Sequence, residues 1–193
     1  MSQCDLTSAA STMAELIRNV SDDQLTGPTP CPDYSLGDLV DHVGGFATAF
    51  TAAANKEPPP RAAQGPSGDA SRLTDDWRRR IPADLAQLAE AWKQPDAWAG
   101  MTQAGGIDLP GEIAGVVALD ELVIHGWDVA RASGQRYDAD AQSLDAVANF
   151  VQGFSSDGTP GLFGPRAPVR DSAPQLERVI GMAGRDPNWS PGR

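Results

Sequence analysis

The sequence predicts an all-α protein built as a helix bundle, and three features of its 193 residues predict it. Apolar residues recur at three- and four-residue spacing in several segments, which is the mark of helices that bury one face. No stretch alternates apolar and polar residues strongly enough to seed a sheet, and no internal repeat or low-complexity block appears. The longest apolar run, residues 113–130, reads as a buried helix against which the others pack. A chain of this length forms one domain of ordinary size with an adequate core of its own. It needs neither disulfides nor a metal to fold, so a bound metal would be available for function.

Taken in order, Leu6, Ala9, Met13, Leu16, Ile17 and Val20 repeat at helical spacing and mark a first helix of about four turns. Residues 21–25 make a short turn, and three prolines among residues 28–32 stiffen the loop that follows. Ser35 is placed as an N-cap, with Asp38 three residues on in a capping-box arrangement. The second helix then covers residues 36–54, with Leu39, His42, Val43, Phe46 and Phe50 facing inward. Residues 56–68 form a Pro/Ala/Gly linker. A third helix is expected over residues 71–92, kinked or broken at Pro82. Residues 95–109 read as an extended or hairpin excursion, after which Pro110 is placed at the first position of a fourth helix that Gly134 closes. A fifth helix covers residues 139–154. A Gly/Pro-rich tail over 155–170 follows, with Leu162 and Phe163 as docking points. A short last helix begins at Ser172-Ala173-Pro174 and ends at Gly184.

Charge and composition narrow the function classes. A net charge of −11 opposes binding to nucleic acid phosphates or to an anionic membrane surface. No apolar run reaches the roughly 20 residues that span a bilayer. The first residues, Met1 to Leu6, have neither a basic nor an apolar signal region, so a cytoplasmic location is expected. Two cysteines, Cys4 and Cys31, make neither a disulfide framework nor a zinc knuckle.

The densest chemistry lies in Asp120-Glu121-Leu122-Val123-Ile124-His125-Gly126-Trp127-Asp128. Glu121 and His125 are four apart and project side by side from one helix face. The only other histidine, His42, lies on the inward stripe of the second helix. If these helices face each other, two imidazoles and a carboxylate offer three metal ligands and an open position. The plainer readings are a satisfied core histidine and a helix-surface Glu/His pair. Against the second stands the apolar setting, because a buried carboxylate must be paired, protonated or metal-bound, and Lys93 is the only Lys or Arg between Arg80 and Arg131. Asp128 continues the stripe, either as an acceptor behind a ligating imidazole or as a solvent-facing residue at the helix end. Asp38 is a weaker candidate of the same kind, since capping already explains it. Trp127 and Arg131 line a pocket or serve the core and the helix dipole, and Cys31 reads as a small inert thiol.

Thr29-Pro30-Cys31-Pro32-Asp33-Tyr34-Ser35-Leu36-Gly37-Asp38-Leu39-Val40-Asp41-His42-Val43 and Asp120-Glu121-Leu122-Val123-Ile124-His125-Gly126-Trp127-Asp128-Val129-Ala130-Arg131 carry a resemblance, as does the tail through Arg185-Asp186-Pro187. They resemble the DinB/YfiT-like metal-dependent superfamily, and within it the actinobacterial proteins related to the N-terminal domain of mycothiol-dependent maleylpyruvate isomerase. The resemblance implies a DinB-like four-helix bundle, here residues 1–155, with a C-terminal helical extension over 156–193. It implies one divalent metal, most often zinc, on His42, Glu121 and His125, with mycothiol as the thiol cosubstrate. The implied activity is zinc-dependent thiol S-transfer or isomerisation on an unidentified electrophile, in a monomer or homodimer. The chain is too short for the isomerase's separate C-terminal domain, so maleylpyruvate does not follow as the substrate. Two other classes stand beside this one. They are a non-catalytic metal-binding or small-ligand-binding module, and a carboxylate-bridged dinuclear centre, whose usual Glu-x-x-His spacing is absent.

Overall fold

The computed structural model describes residues 3–58 and 68–192. Four helices form the bundle: α1 (Thr7–Asn19), α2 (Leu36–Ala54), α3 (Trp77–Ala91) and α5 (Gly111–Ser133). Their main contacts close a ring in the order α1, α3, α2, α5, so α1 faces α2 across the bundle and α3 faces α5. Each diagonal pair follows directly in the bundle's chain order, so the segments that join them, 20–35 and 92–110, are long. Met13, Ile17, Leu36, Leu39, Ile81, Leu85, Leu88, Leu119 and Leu122 are fully buried at the centre. Among the described residues no helix is long and apolar enough to cross a membrane.

The capping box that begins α2 forms as its sequence indicates. Ser35 Oγ accepts from Asp38 N–H, and Asp38 Oδ2 accepts from Ser35 N–H at 3.0 Å. Asp38 also binds Ala70 N–H at 2.8 Å, while Arg72 holds Asp41 through two N–H groups. These contacts fix residues 69–72 as a 3-10 turn on α2, capped by Asp69. The third helix therefore starts at Trp77 rather than at Ser71, and it runs unbroken through Pro82. Within the linker read over 56–68, residues 59–67 lie outside the described residues.

After the short α4 (Pro95–Trp98), strands β1 (Met101–Ala104) and β2 (Ile107–Pro110) pair antiparallel, with Ala104 opposite Ile107. Gly105 and Gly106 both take positive φ at the turn, as tight hairpins require. Thr102 anchors this hairpin by donating to the Ala53 carbonyl at 2.6 Å. Pro110 is the last residue of β2 and caps α5 from outside, one position earlier than its sequence placement.

Helix α6 (Ala141–Val151) packs on α5, and α7 (Gln175–Met182) packs on α6. The fifth helix is shorter than residues 139–154 because Asp140 caps it, accepting from Ser143 N–H. Of the two docking residues expected in the tail, Phe163 meets Phe150 and Phe154 edge to face. Leu162 does not dock and is 60% exposed, since its neighbour Phe163 takes the inward side of the turn.

Candidate metal centre

The centre forms where α2 meets α5. His42 lies two turns into α2, on the side that meets α5, and Glu121 and His125 lie one turn apart on α5, where residues 122–130 are all buried. The nitrogens His42 Nε2 and His125 Nε2 approach the same oxygen, Glu121 Oε2, at 3.1 and 3.2 Å. Among the described residues the three side chains offer donor atoms that all lie within 4.8 Å of one another. The two imidazoles sit edge to face with centroids 4.9 Å apart, and Tyr34 and Phe46 flank the His42 ring. Both histidine side chains are 11% exposed and Glu121 is 25% exposed, so the group opens towards solvent on the carboxylate side.

Behind His125, Asp128 Oδ2 lies 2.9 Å from Nδ1. Burial alone would raise the Asp128 carboxyl, but Arg185 and His125 outweigh it and hold the group below the usual range. Facing an ionised carboxylate, Nδ1 carries the proton and donates it, which turns Nε2 towards Glu121. Burial likewise opposes a charged Glu121, yet the hydrogen bonds from His125 and His42 pull its carboxyl far below the ordinary value. In His125 the burial effect is reversed by Asp128 and Glu121, and the imidazole rises to about 9.

These properties test whether a cation fits. Two Nε2 atoms and a carboxylate oxygen are the donor types of open zinc sites, the carboxylate is ionised, and one ring already has its outer nitrogen held by a carboxylate. A dication placed among them would take over the attraction that now keeps a proton on His125.

A family model for the mycothiol maleylpyruvate isomerase N-terminal domain matches residues 6–130. The chain belongs to that family. Two Mycobacterium tuberculosis relatives, the uncharacterized proteins MT0763 and Rv0738, are each 33% identical over 188 residues, covering 92% of this chain and 93% of theirs. Crystal structures of the mycothiol-dependent maleylpyruvate isomerase and of a histidine-to-alanine mutant superpose with a TM-score of 0.58, at 19% and 20% identity. They cover 76% of this chain and 68% of theirs. At that identity they speak for the fold, which is the DinB-like bundle the motifs predicted.

Other residues considered in the sequence fall as follows in this member of the isomerase N-terminal domain family. Asp128 faces inward and is fully buried. Asp38 is spent on Ser35 and Ala70. Trp127 is core, and Arg131 crosses the Trp127 ring to bind the Trp189 carbonyl. Burial pushes the Cys31 thiol up to about 11. Two residues escaped sequence reasoning. Arg185 reaches Asp128 Oδ2 at 3.1 Å from 57 positions away, and no local pattern foretells it. Asp120 is buried with Oδ1 unpartnered, and burial followed by the Glu121 charge lifts its carboxyl to about 8. Its position inside a long apolar run was the available signal.

Proposed function

We propose that His42, Glu121 and His125 hold one divalent metal, zinc being the ion this donor set suits, and that the protein uses it to act on a low-molecular-weight thiol. The convergence of two Nε2 atoms on one Glu121 oxygen carries the reading. Mycothiol is the thiol supported by the family's description, and the reaction is S-transfer to, or isomerisation of, an electrophile still to be identified. A metal held there with three protein ligands supplies an open Lewis-acid position that favours thiolate over thiol near neutral pH.

The chain's own residues have separate tasks. Asp128 accepts a hydrogen bond from His125 Nδ1–H and so keeps Nε2 aimed at the site. Glu121 brings the negative charge that attracts a cation. Tyr34 and Phe46 wall the His42 side and limit water there. Burial raises the Cys31 thiol to about 11, which favours its neutral form, and in this reading the reacting sulfur comes from a cosubstrate. Residues 1–155 form the metal-binding unit in this reading, and 156–193 an extension packed on it.

Elemental analysis should find close to one zinc per chain. His42→Ala should weaken metal binding by more than about 100-fold, beyond what loss of an outer-shell partner costs. Unchanged metal content in that variant excludes the site. With zinc-loaded protein, mycothiol and a panel of electrophiles, metal-dependent loss of both thiol and electrophile should mark S-transfer, and metal- and thiol-dependent conversion of the electrophile without net loss of thiol should mark isomerisation. Metal retention with neither change would instead mark a binding module.

A further inference from the structure

We infer that Arg185 is a positioning residue of the metal centre, acting through Asp128 to fix the His125 ring, so that the C-terminal segment is a working part of the site. The inference rests on the metal reading above, and Arg185 lies beyond the stretch that the family model matches, 6–130.

One carboxylate oxygen, Asp128 Oδ2, receives both His125 Nδ1 at 2.9 Å and Arg185 Nη2 at 3.1 Å. The Asp128 side chain is 0% exposed and that of Arg185 10%. A carboxylate so deeply buried is tenable when a cation and hydrogen bonds compensate it, and a guanidinium is the side chain whose charge survives burial. Arg131, nearer in sequence, is engaged with the Trp189 carbonyl and leaves this task to Arg185.

The backbone that delivers Arg185 is built for the purpose. Helix α7 ends with Gly184 N–H bonding the Gly181 carbonyl and Arg185 N–H bonding the Ile180 carbonyl, the paired closure of a Schellman motif. Gly184 takes φ +81°, and a Cβ there would come within 2.7 Å of the Gly164 backbone, so glycine is required twice over. Arg185 Nη1 then donates to the Ala183 carbonyl at 2.9 Å, which folds the guanidinium back over its own turn. Because α7 rests on α6 and α6 on α5, the tail and the ligand helix form one connected unit. With Nε2 of His125 only 3.2 Å from Glu121, a shift of Asp128 turns the ring out of line with the other two donors.

The test measures Co(II) affinity of the full chain by competition with a chelator, for wild type, Arg185→Ala, Asp128→Asn, both together, and His42→Ala. Each of the first two single changes should weaken binding about 10- to 100-fold, as outer-shell partners of metal ligands do. The double change should be no worse than the worse single one by more than about threefold, since residues that act through one another are not additive. A second readout uses the fact that the chain has only two histidines. In metal-free protein, 15N spectra of the imidazoles should show one protected Nδ1 proton that disappears in Asp128→Asn and exchanges faster in Arg185→Ala. Should Arg185→Ala fail to fold by circular dichroism, Arg185→Gln is judged by the same criteria. Arg185→Ala binding as tightly as wild type, while His42→Ala loses the metal, overturns this inference alone. Fully additive losses also overturn it, because they assign Arg185 a separate structural role. Wild type that binds no metal overturns the metal reading and this inference with it.

Discussion

Titratable groups in and beside the candidate site decide how the metal-free protein responds to pH. Burial disfavours protonated His125, but Asp128 and Glu121 outweigh it and raise the imidazole from 6.5 to about 9. The resulting stabilisation is complete below about pH 6.5 and fades as pH rises through 9. Metal-free protein should therefore lose about 3 kcal/mol across that interval, read by calorimetry as a falling Tm. Metal-loaded protein should show a flatter profile, because the ion replaces the proton. Asp120 adds a separate trend. Its carboxyl is raised from 3.8 to about 8, so its contribution is intact at low pH and is lost progressively up to 8. Asp120→Asn should gain stability over wild type as pH climbs from 4 to 8. A difference that stays constant across that range would show that Asp120 is not held neutral by its surroundings.

Helix α5 carries two of the three proposed ligands, Glu121 and His125, and its approach to its neighbours depends on small residues. At Gly115 a Cβ would lie 2.5 Å from the Trp98 ring and 2.8 Å from that of Trp92. Neither indole can swing aside freely, because Trp92 Nε1 donates to the Phe50 carbonyl and Trp98 Nε1 to the Trp92 carbonyl. Gly115→Ala should thus destabilise by about 1–3 kcal/mol despite alanine's better helix propensity. At this chain length that lowers Tm by roughly 2–4 °C per kcal/mol. Metal affinity should stay within about twofold of wild type, since the overpacking lies about 1.7 turns from Glu121; a large loss would mean that α5 shifts as a rigid body.

For the molecule as a whole, the ring of four helices buries a continuous core, and none of the proposed metal ligands is among its largest fully buried side chains. Removing the metal with a chelator should leave far-UV circular dichroism unchanged and lower Tm only by the binding contribution. Loss of helix on chelation would identify a structural site. The chain's net charge of −11, with the site's open side facing out beside Glu121, suits a small neutral or cationic partner better than a polyanion.

Much of this was legible in the residues. The 3.6-residue stripes predicted the bundle helices, Ser35 and Asp38 predicted the start of α2, and Glu121 with His125 predicted a shared face, because each of these depends on neighbours within four positions. The pairing of His42 with them followed from having only two histidines, both on apolar stripes. Other features depended on contacts between distant segments. Helix α3 starts late because Asp38 and Asp41 bind residues 69–72, and Pro82 is accommodated without a break inside a buried helix. Leu162 lost its place to Phe163 because only one of two adjacent side chains can face the core. Asp128 points inward because Arg185, arriving from the far end of the chain, compensates its charge. Local periodicity fixes which face a side chain occupies, whereas the partner of a buried charge is chosen only when the whole chain has folded.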